Sequence, residues 1–394
     1  MKYVNIFFIK LYIIIALISI IFTLYLFETY VTFFKDNQKN SITLKEKSFI
    51  YNEKTGKKYD TRQKIQIYNN LKKKDPKITV ALPPFIFIGK KNNLFPLSGK
   101  ANSTVINCNE LGYYSILKSD RYGFNNPDEE WDKDNIEFLV IGDSFVFGDC
   151  VNRPNDISSV LRSLSKKPVL NLGQKGNGPL LEYATLREYL RENVKNIIWV
   201  FYENDLINLD YEITSSKLVS YLDDENFSQN LKSKQVTIDG IVESNIEYQF
   251  NEGKRAENNL AKNKKLKYKI LKFLRLDKTK NIIKTFYFND DQLLYSRLSK
   301  ILSNAKKLSL RNDSNFYFVY VPRHQHGKTK YNKKVFKNVK KITNNLEIPF
   351  IDIDKLVNEK MDDPRQLYPF GDVGHFNIEG YRKVAETIYN FISD

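Results

Sequence analysis

The chain has 394 residues, enough for one large domain or two, of which 42% are hydrophobic and 14% aromatic. That much apolar surface can offset the entropy lost on ordering, so a disordered chain is excluded. Sixty-two Lys and Arg against 46 Asp and Glu give a formal net charge of +16. Because no zinc-finger, helix-turn-helix or ribonucleoprotein motif accompanies this charge, nucleic-acid binding is not expected. The two cysteines allow one bridge but no disulfide scaffold and no four-cysteine metal site.

The N-terminal residues predict a single-pass membrane anchor over 1–34. No charged residue lies between Leu11 and Phe27, and a helix of that length spans about 25 Å, close to a hydrocarbon core. The segment ends without the small-residue cleavage site of a signal peptide, so we expect an uncleaved anchor. Lysines flank both ends of the segment, so charge alone does not orient it.

The remaining chain divides into a lead-in and an α/β domain. Residues 35–124 are rich in Lys and Asn and punctuated by prolines, which predicts a stalk and lead-in segment. From residue 125 to 394, apolar runs and amphipathic stretches alternate, which predicts strands and helices of an α/β domain with a parallel sheet. In chain order these are a strand at 138–141, a helix at 156–164, strands at 168–172 and 196–202 with a helix at 179–192 between them, a helix at 291–310, strands at 316–321 and 350–353, and a helix at 378–392.

A basic insertion interrupts this alternation at 206–290. The stretch from Lys254 to Lys284 contains twelve Lys or Arg residues and only two acidic residues, Glu257 and Asp277, which gives a net charge of +10. Leu266, Ile270, Phe273 and Leu274 fall on one helical face surrounded by lysines. This pattern fits a membrane-surface helix or a contact for an anionic glycan. It equally fits a solvated helix that covers the core with its apolar stripe, which is the simpler interpretation.

Polar residues follow three predicted strands, at the sheet edge where α/β sites form. A further pair, Asp372 and His375, precedes the last helix, at a spacing that lets a carboxylate fix the imidazole tautomer and frees Nε2 to take a proton from a serine. The three strand-end groups are Gly142-Asp143-Ser144, Asn171 to Gly178, and Glu203-Asn204-Asp205.

Each group alone has a simpler structural interpretation. A strand-end serine is more often a helix cap than a nucleophile, and the glycines could serve turns only. Asn204 could bond its own backbone, and Asp372 with His375 could cap the final helix. In this order, and each at a predicted strand end or closing helix, they together favour nucleophilic catalysis. The other histidines, His324 and His326, have no third ligand nearby, so we expect a loop role and no metal site.

On these motifs the chain resembles the SGNH hydrolases, also called GDSL-type esterases and lipases, over residues 125–394 without the insertion. The resemblance implies a flavodoxin-like three-layer sandwich, with Ser144 as nucleophile, His375 as base and Asp372 as its orienting acid. It also implies an oxyanion hole made by the N–H groups of Ser144 and Gly176 and the Asn204 amide, and no metal or organic cofactor. Asn171 matches the asparagine of the second block, and Ser119 to Pro127 resembles the lead-in of bacterial, envelope-anchored members. The third block departs from Gly-x-Asn-Asp, since Glu203 follows Tyr202 where the family has glycine.

The resemblance and the anchor together predict a membrane-bound serine esterase acting on acyl esters, with O-acetyl groups of an envelope polysaccharide as the expected substrate. An O-acyltransferase on the same glycans and a non-catalytic glycan-binding or assembly component are the alternatives. We also hypothesise a disulfide between Cys108 and Cys150, which would place the domain outside the cytoplasm. Two separate buried thiols are the alternative.

Overall fold

The computed structural model describes residues 2–35, 42–248, 250–251, 255, 266–280, 282, 291–325, 328–329 and 333–393. The chain forms two compact units. The smaller unit combines Met1–Asn40 with Phe250–Asp291, and the larger unit combines Ser41–Gln249 with Gln292–Asp394.

The described helices and strands are numbered here along the chain. The helices are α1 (Lys2–Tyr30), α2 (Leu44–Thr55), α3 (Lys64–Lys72), α4 (Ser144–Phe147), α5 (Ile157–Ser165), α6 (Pro179–Tyr189), α7 (Asp205–Glu212), α8 (Ser216–Asp223), α9 (Gln235–Ser244), α10 (Leu266–Leu274), α11 (Asp291–Arg311), α12 (Lys333–Asn345), α13 (Ile353–Leu356) and α14 (Ile378–Ser393). The strands are β1 (Ile78–Val80), β2 (Thr104–Ile106), β3 (Ile116–Lys118), β4 (Ile136–Gly142), β5 (Val169–Asn171), β6 (Val194–Tyr202), β7 (Asn315–Val321), β8 (His324–Gln325), β9 (Lys328–Thr329) and β10 (Phe350–Asp352).

Helix α1 and the π-helical turn that follows it contain a segment able to cross a membrane. Phe8–Phe33 has a mean hydropathy of 2.4, and its apolar side chains are exposed on every face of the helix up to Leu26 and Phe27. By length and composition this is the one such helix among the described residues. The same properties suit a signal sequence, so the anchor remains a prediction.

The larger unit is built on a five-stranded parallel sheet in the order β10-β7-β6-β4-β5. Each neighbouring pair is parallel, with Leu139 opposite Leu170 on one side and Ile197 on the other. Numbered along the chain this is the order 2-1-3-4-5 of flavodoxin-like folds, read from the β5 edge. The predicted α/β fold is confirmed, and its strands lie within two residues of the expected positions.

Both faces of the sheet are buried, because helices cover each of them. On one face, Phe138 and Val140 pack in a core that includes Leu161 of α5 and Tyr381 and Val384 of α14. Leu139 and Ile141 of β4 point the other way and are also fully buried, and α6 contacts β4. The carboxyl ends of β4, β5 and β6 thus meet at one edge.

The segment 42–124 differs from the predicted stalk, because it folds as part of the larger unit. Strands β1, β2 and β3 form a second, three-stranded sheet. The lysines and asparagines of the segment 42–124 lie among apolar residues that are buried. Composition alone therefore did not reveal that this segment is folded. The buried residues include Ile67, Leu82, Phe87, Phe95, Leu97, Ile106 and Leu117. The insertion is likewise divided, since α7, α8 and α9 belong to the larger unit and Phe250–Asp291 to the smaller one.

Replacing Leu97 by Ala tests whether this lead-in stabilises the larger unit. Leu97 is fully buried, so the cavity left by Leu97→Ala should lower the free energy of unfolding by about 2–5 kcal/mol. The matched control is Leu44→Ala, because Leu44 is 56% exposed and its loss should change stability by less than about 0.5 kcal/mol. Urea unfolding of the full chain in mild detergent measures both. Equal, small effects would mean that the segment is a stalk after all.

Candidate active site

Ser144 occupies a sharp turn at the carboxyl end of β4, where it begins the short helix α4. The Asp143 side chain caps this helix by accepting the N–H of Phe145 at 2.8 Å. Ser144 itself is only partly buried, so its hydroxyl is accessible at the sheet edge. Capping by Asp143 fixes the backbone of the turn and hence the direction of that hydroxyl.

Ser144, His375 and Glu110 form a hydrogen-bonded chain. The Ser144 Oγ lies 2.9 Å from His375 Nε2, and His375 Nδ1 lies 3.0 Å from Glu110 Oε1. The other oxygen of Glu110 accepts the backbone N–H of His375 at 2.7 Å. An ionised carboxylate can only accept, so Nδ1 carries the imidazole proton and Nε2 is free to accept from the serine hydroxyl. A longer contact of 3.3 Å also joins Oγ to Oδ2 of Asp143.

Glu110 takes the position that the sequence analysis gave to Asp372. Asp372 is buried in an extended stretch of backbone, and its Oδ2 forms an ion pair with Lys47 of α2 at 2.9 Å. Glu110 accepts hydrogen bonds from both the backbone N–H and the Nδ1–H of His375. The structure therefore corrects the implied role of Asp372: the partner of Nδ1 belongs to the lead-in and not to the loop before α14.

A disulfide holds Glu110 near the nucleophile. Cys108 and Cys150 are bonded, with their Cα atoms 4.9 Å apart, which joins the loop carrying Glu110 to the loop that follows α4. Between them in sequence, Asn109 donates to the carbonyl of Asp60 at 2.6 Å and accepts the N–H of Gly112 at 3.0 Å. The approach of Glu110 also needs Gly374, because a Cβ there would lie 2.6 Å from Glu110 Oε2.

The charges around His375 favour its protonated form. Burial lowers the pKa of His375, but the negative charges of Asp149 and Glu110 and the hydrogen bond to Glu110 outweigh burial and raise it above 6.5. Burial raises the pKa of Glu110, yet its hydrogen bonds and proximity to His375 lower it overall. Glu110 is thus a carboxylate at neutral pH and stabilises an imidazolium when Nε2 takes a proton.

Asp149 is a second buried carboxylate beside the imidazole. Its Oδ2 lies 3.5 Å from His375 Nε2 and 2.6 Å from Nζ of Lys175, and its carbonyl accepts the hydroxyl of Tyr381 at 3.0 Å. Burial raises the pKa of Asp149, but Lys175 and His375 lower it overall. Asp149 therefore adds negative charge on the Nε2 side of the imidazole, which is the side that faces Ser144.

Three groups expected to form the oxyanion hole are free to donate. Neither the Ser144 N–H nor the Gly176 N–H has an acceptor among the described residues, and the Asn204 side chain has no hydrogen-bond partner there either. Gly176 has a φ of +66°, and a Cβ would meet the Phe85 ring at 2.6 Å. Only glycine fits this left-handed position.

The loop between β5 and α6 is fixed by side chains that accept its backbone N–H groups. Asn171 accepts from Gly173 at 2.8 Å and donates to the carbonyl of Val146 at 2.6 Å, which joins this loop to α4. Glu212 accepts the N–H groups that begin α6, at 2.5 Å from Gly178 and 2.9 Å from Leu180. Burial raises the pKa of Glu212 to about 7 despite these bonds.

The lead-in residues Ser119 to Pro127, which resemble envelope-anchored SGNH hydrolases, form hydrogen bonds to the same loops. Asn126 donates to the carbonyl of Asn171 at 2.9 Å and accepts its N–H at 2.8 Å, while Asn125 donates to the carbonyl of Phe147 at 2.8 Å. Asp120 accepts from Asn126 and Trp131, and burial raises its pKa to about 6. These bonds hold the lead-in against the turns that carry Ser144 and Gly176.

The described residues contain one cluster with metal-ligand atoms close together, formed by Glu110, Cys150 and His375. The sulfur of Cys150 is bonded to Cys108, so it cannot act as a thiolate, and the other two residues are hydrogen-bonded to each other. His324 lies in β8 and His326 lies outside the described residues, so their expected loop role stays a prediction.

Comparisons with known proteins give only distant likenesses. No family model and no curated protein matches the chain. Among solved structures, a protein of the G-D-S-L family from Desulfitobacterium hafniense is 13% identical and has a TM-score of 0.37, covering 65% of this chain and 99% of its own. A phospholipase A1 from Streptomyces albidoflavus is 10% identical with a TM-score of 0.36, covering 65% and 99%. AlinE4, an esterase of the SGNH-hydrolase family, is 12% identical with a TM-score of 0.31, covering 66% and 96%.

All these TM-scores lie below 0.5, so a functional conclusion has to rest on the geometry of the site. That geometry brings Ser144 and His375 together and leaves Gly176 and Asn204 as available donors. It adds Glu110, Asp149 and Lys175, which sequence reasoning missed. One signal for Glu110 was present, since it lies two residues after Cys108 and a bridge to Cys150 would bring it towards Ser144.

Exchanging the two candidate acids separates their roles. The amide of Glu110→Gln can donate to Nδ1 and so favours the tautomer with the proton on Nε2, which cannot accept from Ser144. Labelling of Ser144 by a fluorophosphonate probe should then slow by about 10³-fold or more. The matched control is Asp372→Asn, which should label within about threefold of the parent chain. The reverse order of effects would restore Asp372 as the orienting acid.

The pKa of His375 offers a test that does not depend on reactivity. It should lie above 6.5 in the full chain, and Glu110→Gln should lower it, because the carboxylate that stabilises the imidazolium is gone. Carbon-detected NMR of histidine-labelled protein measures it, with His375→Gln to assign its signal among the three histidines. A value unchanged by Glu110→Gln would contradict the hydrogen bond to Nδ1.

Proposed function

We propose that the chain is a serine esterase of the SGNH type, with Ser144, His375 and Glu110 as its catalytic triad. The observation that carries the proposal is the continuous path from Ser144 Oγ through the imidazole to Glu110, with distances of 2.9 Å and 3.0 Å. The partly buried Ser144 and His375 keep the path accessible to a substrate.

In the acylation step, His375 Nε2 takes the hydroxyl proton as Ser144 Oγ attacks the carbonyl carbon of an ester. The new oxyanion accepts hydrogen bonds from the N–H groups of Ser144 and Gly176 and from the Asn204 amide. Glu110 and Asp149 stabilise the imidazolium. The imidazolium then protonates the leaving alcohol, and the acyl group remains on Ser144.

In the second step, Nε2 takes a proton from the acceptor as the acceptor oxygen attacks the acyl carbon. The bond between the acyl group and Ser144 Oγ then breaks, and the imidazolium returns a proton to that oxygen. Water as acceptor gives an esterase, and a sugar hydroxyl gives an O-acyltransferase on the same triad. The chemistry calls for no metal or organic cofactor. Ser144 and His375 are both partly exposed, so water can reach the acyl-enzyme, and we propose water as the acceptor.

We propose small acyl esters, O-acetyl groups of a cell-envelope polysaccharide, as the substrate class. The support is the location, since α1 exposes an apolar surface suited to a single-pass anchor. The Cys108–Cys150 disulfide suits an oxidising compartment, so the larger unit would face the outside of the cytoplasmic membrane.

Hydrolysis of 4-nitrophenyl acetate by the full chain in mild detergent tests the activity. Ser144→Ala should lower turnover by several orders of magnitude, up to about a million-fold. Asn204→Ala should lower kcat by about 10²–10³-fold, because one oxyanion donor is lost.

Acetate release from O-acetylated polysaccharide, compared with acetyl transfer to a deacetylated glycan, then separates esterase from transferase. Glycan binding without hydrolysis, transfer or phosphonate labelling would assign the domain to a non-catalytic role and contradict the proposal.

A further inference from the structure

The basic part of the insertion folds back onto the end of α1 within the smaller unit. Tyr25 donates its hydroxyl to the carbonyl of Leu274 at 2.8 Å, and its ring lies 5.8 Å from that of Phe273. Glu28 accepts the N–H of Lys278 at 3.2 Å and both the N–H and hydroxyl of Thr279 at 2.7 Å. Glu28 is 1% exposed, so its charge is enclosed by this segment.

Helix α10 has the surface of an interfacial helix. Phe273 packs towards Tyr25 of α1, whereas Ile270 and Leu274 are exposed by 50% and 55%. Exposed lysines flank these apolar side chains on α10. Apolar residues exposed beside lysines, next to the end of an apolar 26-residue span, are typical of helices that lie at a lipid surface.

A basic pocket of ≈ 630 Å³ opens between the end of α1 and residues 269–280. Its lining includes Lys269, Lys272, Lys278 and Lys280, together with Thr32. Among the described residues, no carboxylate forms an ion pair with Lys269, Lys272 or Lys280. Two carboxylates, those of Glu28 and Asp277, also line the pocket. The oxygens of Glu28 accept hydrogen bonds from the backbone N–H groups of Lys278 and Thr279. Four lysines and two carboxylates thus give the lining of the pocket a formal net charge of +2.

We propose that this pocket binds the phosphate of an anionic phospholipid, with the apolar side chains of α10 in contact with the acyl chains. The proposal rests on the membrane anchor put forward above. The pocket is lined by Glu28 and Thr32 within Phe8–Phe33, so it lies where that span leaves the hydrocarbon layer. A headgroup phosphate is available at that depth, and clustered lysines next to a membrane span attract it.

Native mass spectrometry of the full chain in detergent tests the proposal with two probes of equal acyl chains, phosphatidylglycerol and phosphatidylcholine. Phosphatidylglycerol should be retained in preference to phosphatidylcholine. The triple variant K269Q/K272Q/K280Q should weaken its binding by on the order of tenfold or more. The matched control, K333Q/K337Q/K341Q, removes the same charge from exposed positions of α12 and should bind like the parent chain. Equal retention of the two lipids, or equal losses in the two variants, would overturn the proposal.

Glu28→Leu separates a built site from simple charge attraction. Attraction alone predicts tighter binding of phosphatidylglycerol, because a negative charge is removed. A built site predicts weaker binding, since Lys278 and Thr279 lose the acceptor that holds them. Tighter or unchanged binding would therefore count against the pocket.

Two further measurements identify the ligand and isolate this site from catalysis. Retention of an acidic oligosaccharide without lipid, abolished by the triple variant, would reassign the pocket to a glycan and refute the lipid proposal. Hydrolysis of 4-nitrophenyl acetate by the same samples should be unaffected by the triple variant, while Ser144→Ala should bind lipid normally. The esterase proposal can thus be refuted while the lipid site is confirmed, and the lipid site can be refuted while the esterase proposal is confirmed.

Discussion

The hydrogen bond between Glu110 and Nδ1 of His375 is the interaction on which the site depends. It fixes the tautomer, and with the second bond to the His375 backbone it fixes the ring and the main chain together. Ser144 gains a base only because of this arrangement. The disulfide, Asn109 and the small Gly374 all serve the approach of one carboxylate to one imidazole.

The loops at the carboxyl edge of the sheet are stabilised in the same way. In each of them, a buried acid or amide side chain accepts a hydrogen bond from a backbone N–H group of the turn. Asp143 does this after β4, Asn171 after β5, and Asp205 after β6 by accepting the N–H of Tyr202 at 2.7 Å. Burial raises the pKa of Asp143 to about 6 and that of Asp205 well above its usual range. Burying these acids costs free energy, but the hydrogen bonds that they accept hold the turns in place. The N–H groups of Ser144 and Gly176 take no part in these bonds and can donate to another acceptor.

The positions of the strands could be predicted from the sequence, whereas the carboxylate that contacts His375 could not, and the reasons are physical. Strands β4 and β6 contain continuous apolar runs at 138–141 and 197–202, where both faces of the sheet are buried. Ser144 and Asn204 each lie two residues after the end of their strand. Position along a strand therefore determines position at the sheet edge. Glu110 follows no such strand, and its place depends on a disulfide and on packing between distant segments. Asp372 has the local spacing of an orienting acid, yet local spacing cannot show that Lys47 pairs with it.

The three residues of the proposed triad come from separate parts of the chain, and this has a consequence for synthesis. Glu110 and Ser144 are made early, whereas His375 is 265 residues after Glu110 and 231 after Ser144. A growing chain can complete the lead-in and the first strands of the sheet while its serine has no base. The proposed triad can thus be completed only in one late step, when the segment before α14 has been made. Contacts over such separations also slow folding, because the loops they close must be ordered first.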